Sequence, residues 1–140
     1  MTRHTATALI ALLFAAVGAS ASAADLTITV EGVASADGRL MVALYNSADT
    51  FRRKPYAART APASPGAVTL EVKDLPAGDY ALAVYHDANG NGKLDMNAVG
   101  MLVEDYAFSN NAMGNHSAPS YEAARFQVPA GGAAVSVNLR

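Results

Sequence analysis

Short runs in which apolar and polar residues alternate recur along the chain, and no stretch shows the spacing of a long amphipathic helix. Leu26, Ile28 and Val30, for example, alternate with threonine and glutamate, as in a strand with one buried face. Turn residues separate the runs, as at Asp37-Gly38. The pattern predicts an all-β protein, an antiparallel β-sandwich of about seven strands, with strands over 26–31, 39–45, 68–73, 79–86, 126–128 and 135–139.

Two segments lack this alternation. Residues 47–66 contain three prolines and the basic run Arg52-Arg53-Lys54, and we interpret them as a long connection. The basic run suits either a solvated loop or contact with an anionic polymer or lipid headgroup. Residues 97–124 form a second irregular excursion, and loops of such length in compact domains are usually functional or held by a metal.

The N-terminus has the composition of a secretory signal peptide. Arg3 and His4 precede an apolar stretch over 6–17, and Ala21-Ser22-Ala23 is an A-x-A cleavage signal. The sequence therefore predicts a signal peptide over 1–23, a single domain over 24–140, and a periplasmic or secreted location. An uncleaved membrane anchor is the alternative interpretation of the same segment.

Cysteine content and charge narrow the function classes. The chain has no cysteine, so an exported domain of this kind depends on core packing, on a metal, or on both. Thiol catalysis and zinc–thiolate sites are excluded for the same reason. With a net charge of −2, the chain also lacks the basic character of a nucleic-acid-binding protein.

The most informative motif follows the run over 79–86. Side-chain oxygens recur there at alternate positions with glycines between them, in the spacing of a Ca²⁺-binding loop. Position 12, where such loops carry a bidentate glutamate, is Ala98, so Glu104 is the expected outside contributor, with Asn97 or water as alternatives. We predict a weak Ca²⁺ site whose ligands are Asp87, Asn89, Asn91, the Lys93 carbonyl, Asp95 and Glu104. A polar turn without metal is the alternative.

Two other kinds of chemistry are weaker matches. His86 ends a core-facing row on its strand, where it would cap the rim of the sandwich, orient Asp87 or act as a general base. Ser109 and Ser120 lie in no Gly-x-Ser-x-Gly motif, so we expect no enzyme, with a minor hydrolase as an alternative. Thioether and imidazole groups suit copper, and the second alternative is a copper-binding protein that uses Met96, Met101, Met113, His86 and His116.

Several segments of the mature region also match a known family pattern. The most specific is the run His86-Asp87-x-Asn89-x-Asn91-Gly92-Lys93-Leu94-Asp95-x-Asn97. The others are 38–46, 75–84, Gly100, Glu104, 108–111, 119–122, Ala124 and Phe126. With these segments the chain resembles the DUF2141 family of uncharacterised bacterial exported proteins. It departs from that pattern at Leu102, where proline is expected, and at Asp105 and Ala107, where glycine is common. The resemblance implies an Ig-like or prealbumin-like sandwich in the periplasm or outside the cell, and implies no activity.

Together these patterns favour an exported, non-catalytic module of the cell envelope that carries the structural Ca²⁺ site. Its expected partner is an envelope protein or a glycan, with no membrane span after signal cleavage, and the oligomeric state is left open. A glycan- or protein-binding module without metal is the alternative. Tyr106, Phe108 and Tyr121 would stack on a sugar if they are exposed together, or would cover a sheet edge if they are buried.

Overall fold

The computed structural model describes residues 23–115 and 117–140. The predicted signal peptide over 1–23, apart from Ala23, and His116 lie outside the described residues. The eight strands are β1 Ala23–Val33, β2 Arg39–Tyr45, β3 Ala57–Pro62, β4 Gly66–Pro76, β5 Gly78–Asp87, β6 Tyr106–Phe108, β7 Phe126–Val128 and β8 Ala133–Asn138. A 3₁₀ turn at Ser109–Asn111 and the short helix α1, Tyr121–Ala124, lie between β6 and β7.

The strands form two sheets, and the predicted β-sandwich is confirmed. One sheet has the order β4-β1-β8, and the other has the order β3-β2-β5-β6, with β7 also paired to β5. Every pairing is antiparallel except one, because β8 runs parallel to β1. The alternation along each strand places one row of side chains between the sheets, and the predicted rows Leu26–Val30 and Leu40–Leu44 are buried there.

The interpretation of 47–66 as one connection is wrong in its second half. Residues Ala57–Pro62 form β3, an edge strand that pairs with β2 along its whole length. Its side chains are mostly exposed and four of its six residues are alanine or proline, so no buried row appears in the sequence. β3 is a strand because the open edge of β2 offers backbone N–H and C=O groups that need partners. The residues of β3 themselves carry no pattern that predicts a strand.

The excursion over 97–124 covers the outer face of the five-stranded sheet. Ala81 and Ala83 alternate with the core residues of β5 and so point away from the sandwich interior. Tyr121 and Ala124 of α1 pack on this face together with Phe51, forming a second buried cluster. Within the excursion, β6 extends the sheet beside β5.

The two sheets are also joined at the end of the chain. Beyond β8, Arg140 and Tyr106 exchange two backbone hydrogen bonds, with N···O distances of 3.2 and 3.1 Å. The C-terminal residue therefore ties the three-stranded sheet to the edge of the five-stranded one. No helix within 23–115 and 117–140 has the length and apolar character needed to cross a membrane.

Candidate metal centre

The oxygen-rich loop begins at a buried carboxylate. Asp87 is the last residue of β5 and is fully buried. It lies opposite Arg39 of β2, whose Nε is 3.7 Å from Asp87 Oδ2. A carboxylate without exposure is stable in this position only because it has a charged partner and several hydrogen-bond donors.

The backbone of the loop curls around this carboxylate. The amide of Asn91 donates to Asp87 Oδ1 at 3.2 Å, and the amide of Gly92 donates to Asp87 Oδ2 at 2.8 Å. Gly90 and Gly92 both have positive φ angles, of 70° and 76°, which glycine adopts without steric cost. Spacing and glycine placement thus give the tight curl that the sequence predicted.

Asp95 is the centre of the side-chain contacts in the loop. Asn89 Nδ2 donates to Asp95 Oδ2 at 2.6 Å, while Asn91 Nδ2 donates to both Asp95 oxygens at 2.7 and 2.9 Å. These donated hydrogen bonds, from Asn91 first and then Asn89, lower the pKa of Asp95 below its ordinary value. The amide oxygens accept from the backbone, Asn89 Oδ1 from the Asn91 amide and Asn91 Oδ1 from the Lys93 amide.

Glu104 contacts the loop from the end of the segment that precedes β6. Its Oε2 accepts a long hydrogen bond, 3.5 Å, from the Asp95 amide. Its Oε1 is buried and has no hydrogen-bond partner among the described residues. Burial, and after it the neighbouring Asp95, raises the pKa of Glu104 above its ordinary value. A buried carboxylate oxygen without a donor is costly unless a proton, a water or a cation satisfies it.

A tyrosine closes the loop from the sheet side. The hydroxyl of Tyr85 on β5 donates to the Gly92 carbonyl at 3.1 Å. Burial raises the pKa of Tyr85, and the negative charges of Asp87 and Glu104 add to that effect. The phenol therefore stays protonated and remains a donor, next to a region where carboxylates outnumber cations.

The structure brings most of the predicted ligands together. Asp87, Asn89, Asn91 and Asp95 share one hydrogen-bonded loop, and Glu104 contacts it through Asp95. The Lys93 amide takes part, and its side chain is exposed. Within the described part of the chain, no group of three or more His, Cys, Asp or Glu side chains is arranged to hold a metal. A cation here would therefore need the asparagine and backbone carbonyl oxygens as well as the carboxylates.

Sequence reasoning missed three residues that shape the site. Arg39 and Tyr85 reach it through the register of β2 and β5, which only the folded sheet reveals. Gly38 was recognised only as a turn residue, yet a Cβ at this position would lie 1.9 Å from the Asp87 carbonyl oxygen. The Asp37-Gly38 turn was the available signal in the sequence. Its close packing on the loop follows from the pairing of β2 with β5, in which Arg39 lies opposite Asp87.

The residues considered for catalysis have structural contacts. The Nε2 of buried His86 lies 2.6 Å from the Asp37 carbonyl oxygen, so its ring fastens the 37–38 turn. Buried Ser109 accepts from the Leu82 amide at 2.9 Å and donates to the Ala124 carbonyl. Ser120 caps α1 by accepting from the Ala123 amide at 3.1 Å. Both hydroxyls and the Nε2 of His86 thus have a backbone partner.

The three methionines considered as copper ligands line a groove beside the loop, together with two of the aromatic residues. Met96, Met101 and Met113 line one groove together with Tyr106 and Phe108, and His86 does not line it. Tyr121 is instead buried against Phe51, at 5.9 Å between ring centroids. The three aromatic residues of the excursion therefore do not form one exposed stacking surface.

Fold and loop together define a class: a β-sandwich with an oxygen-rich Asx/Gly loop at the end of a central strand. The sequence profile of the DUF2141 family, described as an uncharacterised protein conserved in bacteria, matches residues 28–136. The chain belongs to this family. Searches of curated proteins and of solved structures found no match.

Proposed function

We propose that the protein is an exported, non-catalytic module of the bacterial cell envelope whose 87–95 loop holds a structural Ca²⁺ ion. The observation that carries the proposal is the group of oxygen-bearing side chains gathered around Asp95, with the unpartnered buried Glu104 Oε1 beside it. Carboxylate, amide and backbone oxygens are the ligands that Ca²⁺ takes, in a shell of 6–8.

The chemistry of the donor set favours a weak site. Asp87, Asp95 and Glu104 supply the negative charge, and the Asn89 and Asn91 amides supply neutral oxygens once they rotate to turn oxygen, rather than nitrogen, toward the ion. With few carboxylates, an affinity of about 10⁻⁴–10⁻³ M is expected, which suits an extracellular or periplasmic ion supply.

The proposed role of the ion is to fix the excursion to the sheet. Asp87 ends β5, Asp95 lies within the segment that leaves the sheet, and Glu104 lies two residues before that segment returns to β6. A ligand that binds only the folded state stabilises it by mass action. The signal-like N-terminus supports export, and the backbone contacts of His86 and Ser109 support a non-catalytic role.

The first test is thermal unfolding of the purified protein in EDTA, in 10 mM Ca²⁺ and in 10 mM Mg²⁺. At about ten to a hundred times the expected dissociation constant, Ca²⁺ should stabilise the protein by about 1.5–3 kcal/mol. That gain corresponds to a rise in melting temperature of roughly 5–10 °C. Mg²⁺ should give a much smaller rise because it demands an octahedral shell and sheds water reluctantly.

Isosteric variants show whether the effect belongs to this loop. Asp95→Asn should remove most of the Ca²⁺-dependent rise, because it removes the carboxylate at the centre of the cluster. Asp74→Asn is the matched control, an exposed aspartate of β4 in the other sheet. An equal rise in the Asp95→Asn variant, or no rise in the original protein, would contradict the proposed site.

A further inference from the structure

An open groove of about 700 Å³ lies beside the candidate metal loop. One wall is the hairpin over 95–103, in which Met96 pairs with Leu102. The other wall comes from β6 and from residues between β6 and α1. The groove is lined mainly by apolar side chains, which include Leu94, Met96, Met101, Leu102, Phe108 and Met113. A volume of this size is typical of sites that bind small organic ligands.

The apolar lining is unusually exposed to solvent. Met96, Met101 and Met113 are 62%, 64% and 64% exposed, although methionine is normally a residue of protein interiors. Val99 and Val103 on the same hairpin are also exposed. A contiguous apolar surface of this kind indicates a binding site, because exposure to water costs free energy that a ligand would recover.

One charged residue lines the groove among the described residues, and it is cationic. Arg52 lies at its edge, and no described carboxylate is within 4 Å of its guanidinium. The turn that carries it is anchored by Phe51, which is buried in edge-on contact with Tyr45, 5.4 Å away, and Phe108, 6.0 Å away. Arg52 itself has a left-handed backbone, with φ of 63°. The turn therefore fixes the backbone of Arg52 beside the apolar surface, and the guanidinium has no acidic partner there in the described ranges.

A second cation argues against a positively charged ligand. The guanidinium of Arg140 hydrogen-bonds to the Met113 sulfur, on a wall of the same groove. Two guanidinium groups next to the thioethers repel a copper ion and attract an anion. The charge pattern thus selects a ligand with one long apolar part and one negative group.

We propose that this groove binds a single-chain anionic amphiphile, with its hydrocarbon chain on the methionine-lined surface and its carboxylate on Arg52. A guanidinium pairs with a carboxylate through two parallel hydrogen bonds, and unbranched thioether side chains adapt to an alkyl chain. The inference rests on the groove alone and is independent of the Ca²⁺ proposal.

Calorimetric titration with decanoate below its micellar concentration tests the proposal, with 1-decanol and decyltrimethylammonium as comparison ligands of matched chain length. Decanoate should bind with 1:1 stoichiometry, and at least about tenfold more tightly than either comparison ligand, because only it can form the charge-assisted pair with Arg52. Equal binding of all three ligands, or none of decanoate, would overturn the proposal.

Substitutions at three exposed residues test which part of the groove binds the carboxylate and which part binds the alkyl chain. Arg52→Gln should weaken decanoate binding about tenfold and leave decanol binding unchanged. Arg53→Gln is the matched control, since Arg53 is exposed on the same turn and does not line the groove. Met101→Glu should abolish decanoate binding by placing a carboxylate on the apolar surface.

A methionine-to-leucine variant separates hydrocarbon contact from sulfur chemistry. Replacing Met96, Met101 and Met113 together by leucine keeps the apolar surface and removes the thioethers. Decanoate affinity should change by no more than about threefold, because leucine and methionine have similar volume and polarity. Loss of binding in this variant with an unchanged melting temperature would show that the sulfurs, not the apolar surface, make the site. Decanoate binding by Arg52→Gln at full strength would likewise contradict the proposal.

Discussion

Gly38, in the turn before β2, and Gly90, within the candidate metal loop, have nearly the same backbone φ angle, yet they differ in what surrounds them. Both have positive φ, 63° and 70°. A Cβ on Gly38 would meet the Asp87 and Ala88 carbonyl oxygens at 1.9 and 2.8 Å, whereas a Cβ on Gly90 would meet nothing within 4 Å. Gly90 is required for its backbone conformation alone, whereas Gly38 is also required because a side chain at its position would clash with β5 and the loop.

The two alanine substitutions should therefore differ in cost. Gly90→Ala pays only the left-handed backbone strain, about 1 kcal/mol. Gly38→Ala adds a backbone clash and should lower the free energy of unfolding by about 3 kcal/mol or more. Urea unfolding of the two variants measures the difference directly. Equal costs would mean that the turn at Gly38 moves away from β5 without penalty.

Glu104 and Asp95 give opposite pH dependences. Burial raises the pKa of Glu104, so the folded protein binds its proton more tightly than the unfolded chain does. This contribution is present below the ordinary pKa, about 4.3, and is lost as the pH rises through the raised value. Hydrogen bonds lower the pKa of Asp95, so its contribution is present above its ordinary pKa and is lost as the pH falls through the lowered one.

Glu104→Gln should accordingly stabilise the metal-free protein at pH 7 and not at pH 3.5. The gain should be no more than about 0.5–1 kcal/mol, because nearby solvent screens the carboxylate. Melting temperatures measured in EDTA across this pH range test it. Asp95→Asn should show the reverse sign, with its loss of stability confined to the higher pH. A pH-independent effect of Glu104→Gln would show that the change in stability does not come from ionisation of Glu104.

At the scale of single residues, the sequence predicted which side chains share the loop, because they lie close together along the chain, while the Ca²⁺ ligand set stays a prediction. The alternate placement of Asp87, Asn89 and Asn91 with intervening glycines is sufficient to specify an Asx-rich curl. Arg39 and Tyr85 could not be predicted in the site, because their positions depend on the register between β2 and β5.

Among the elements, Ser109 connects three that are distant in sequence. It follows β6, accepts from the amide of Leu82 in the middle of β5, and donates to the carbonyl of Ala124 at the end of α1. Both partners are buried, so neither finds a substitute in water. A single hydroxyl thus fixes the excursion to the sheet independently of any metal.

Ser109→Ala should destabilise the protein by about 2–4 kcal/mol, because it leaves a buried donor and a buried acceptor without partners. Ser120→Ala, which removes only the cap of α1, should cost about 1 kcal/mol. Chemical denaturation compares the two serines. A similar small cost for both would mean that the Leu82 amide and the Ala124 carbonyl find other partners when the hydroxyl is removed.

The strands missed by the sequence prediction share one property. β3 has no buried row, and β6 has only three residues, with Ala107 as its buried one. Both exist because they pair with a neighbour that has an open edge, β2 in one case and β5 in the other. Hydrophobic periodicity detects strands that face a core and does not detect strands that only extend a sheet.

For the whole molecule, the alternating pattern predicted the sandwich because each core strand carries its own buried row. It did not predict the second cluster around Phe51, since the alanines that receive it on β2 and β5 look like ordinary outward positions. Phe51, Phe108 and Tyr121 are spread over two irregular segments, and only the folded chain brings their rings within about 6 Å. This outer layer contributes Phe108 to the groove and packs the turn that carries Arg52 against the sheet.

The parallel pairing of β1 with β8 has a consequence for how the chain folds. β1 is the central strand of its sheet, and its partner positions on β8 lie near the other end of the sequence, as for Leu26 and Ala133. Closing so long a loop costs conformational entropy before the contacts between β1 and β8 can offset that cost, and folding is slower as a result. The three-stranded sheet is therefore completed only after residue 133 is available, and until then β1 exposes an unpaired edge prone to association with other chains. Folding of this protein is accordingly expected to be completed late, when β8 pairs with β1, and not by progressive growth from β1.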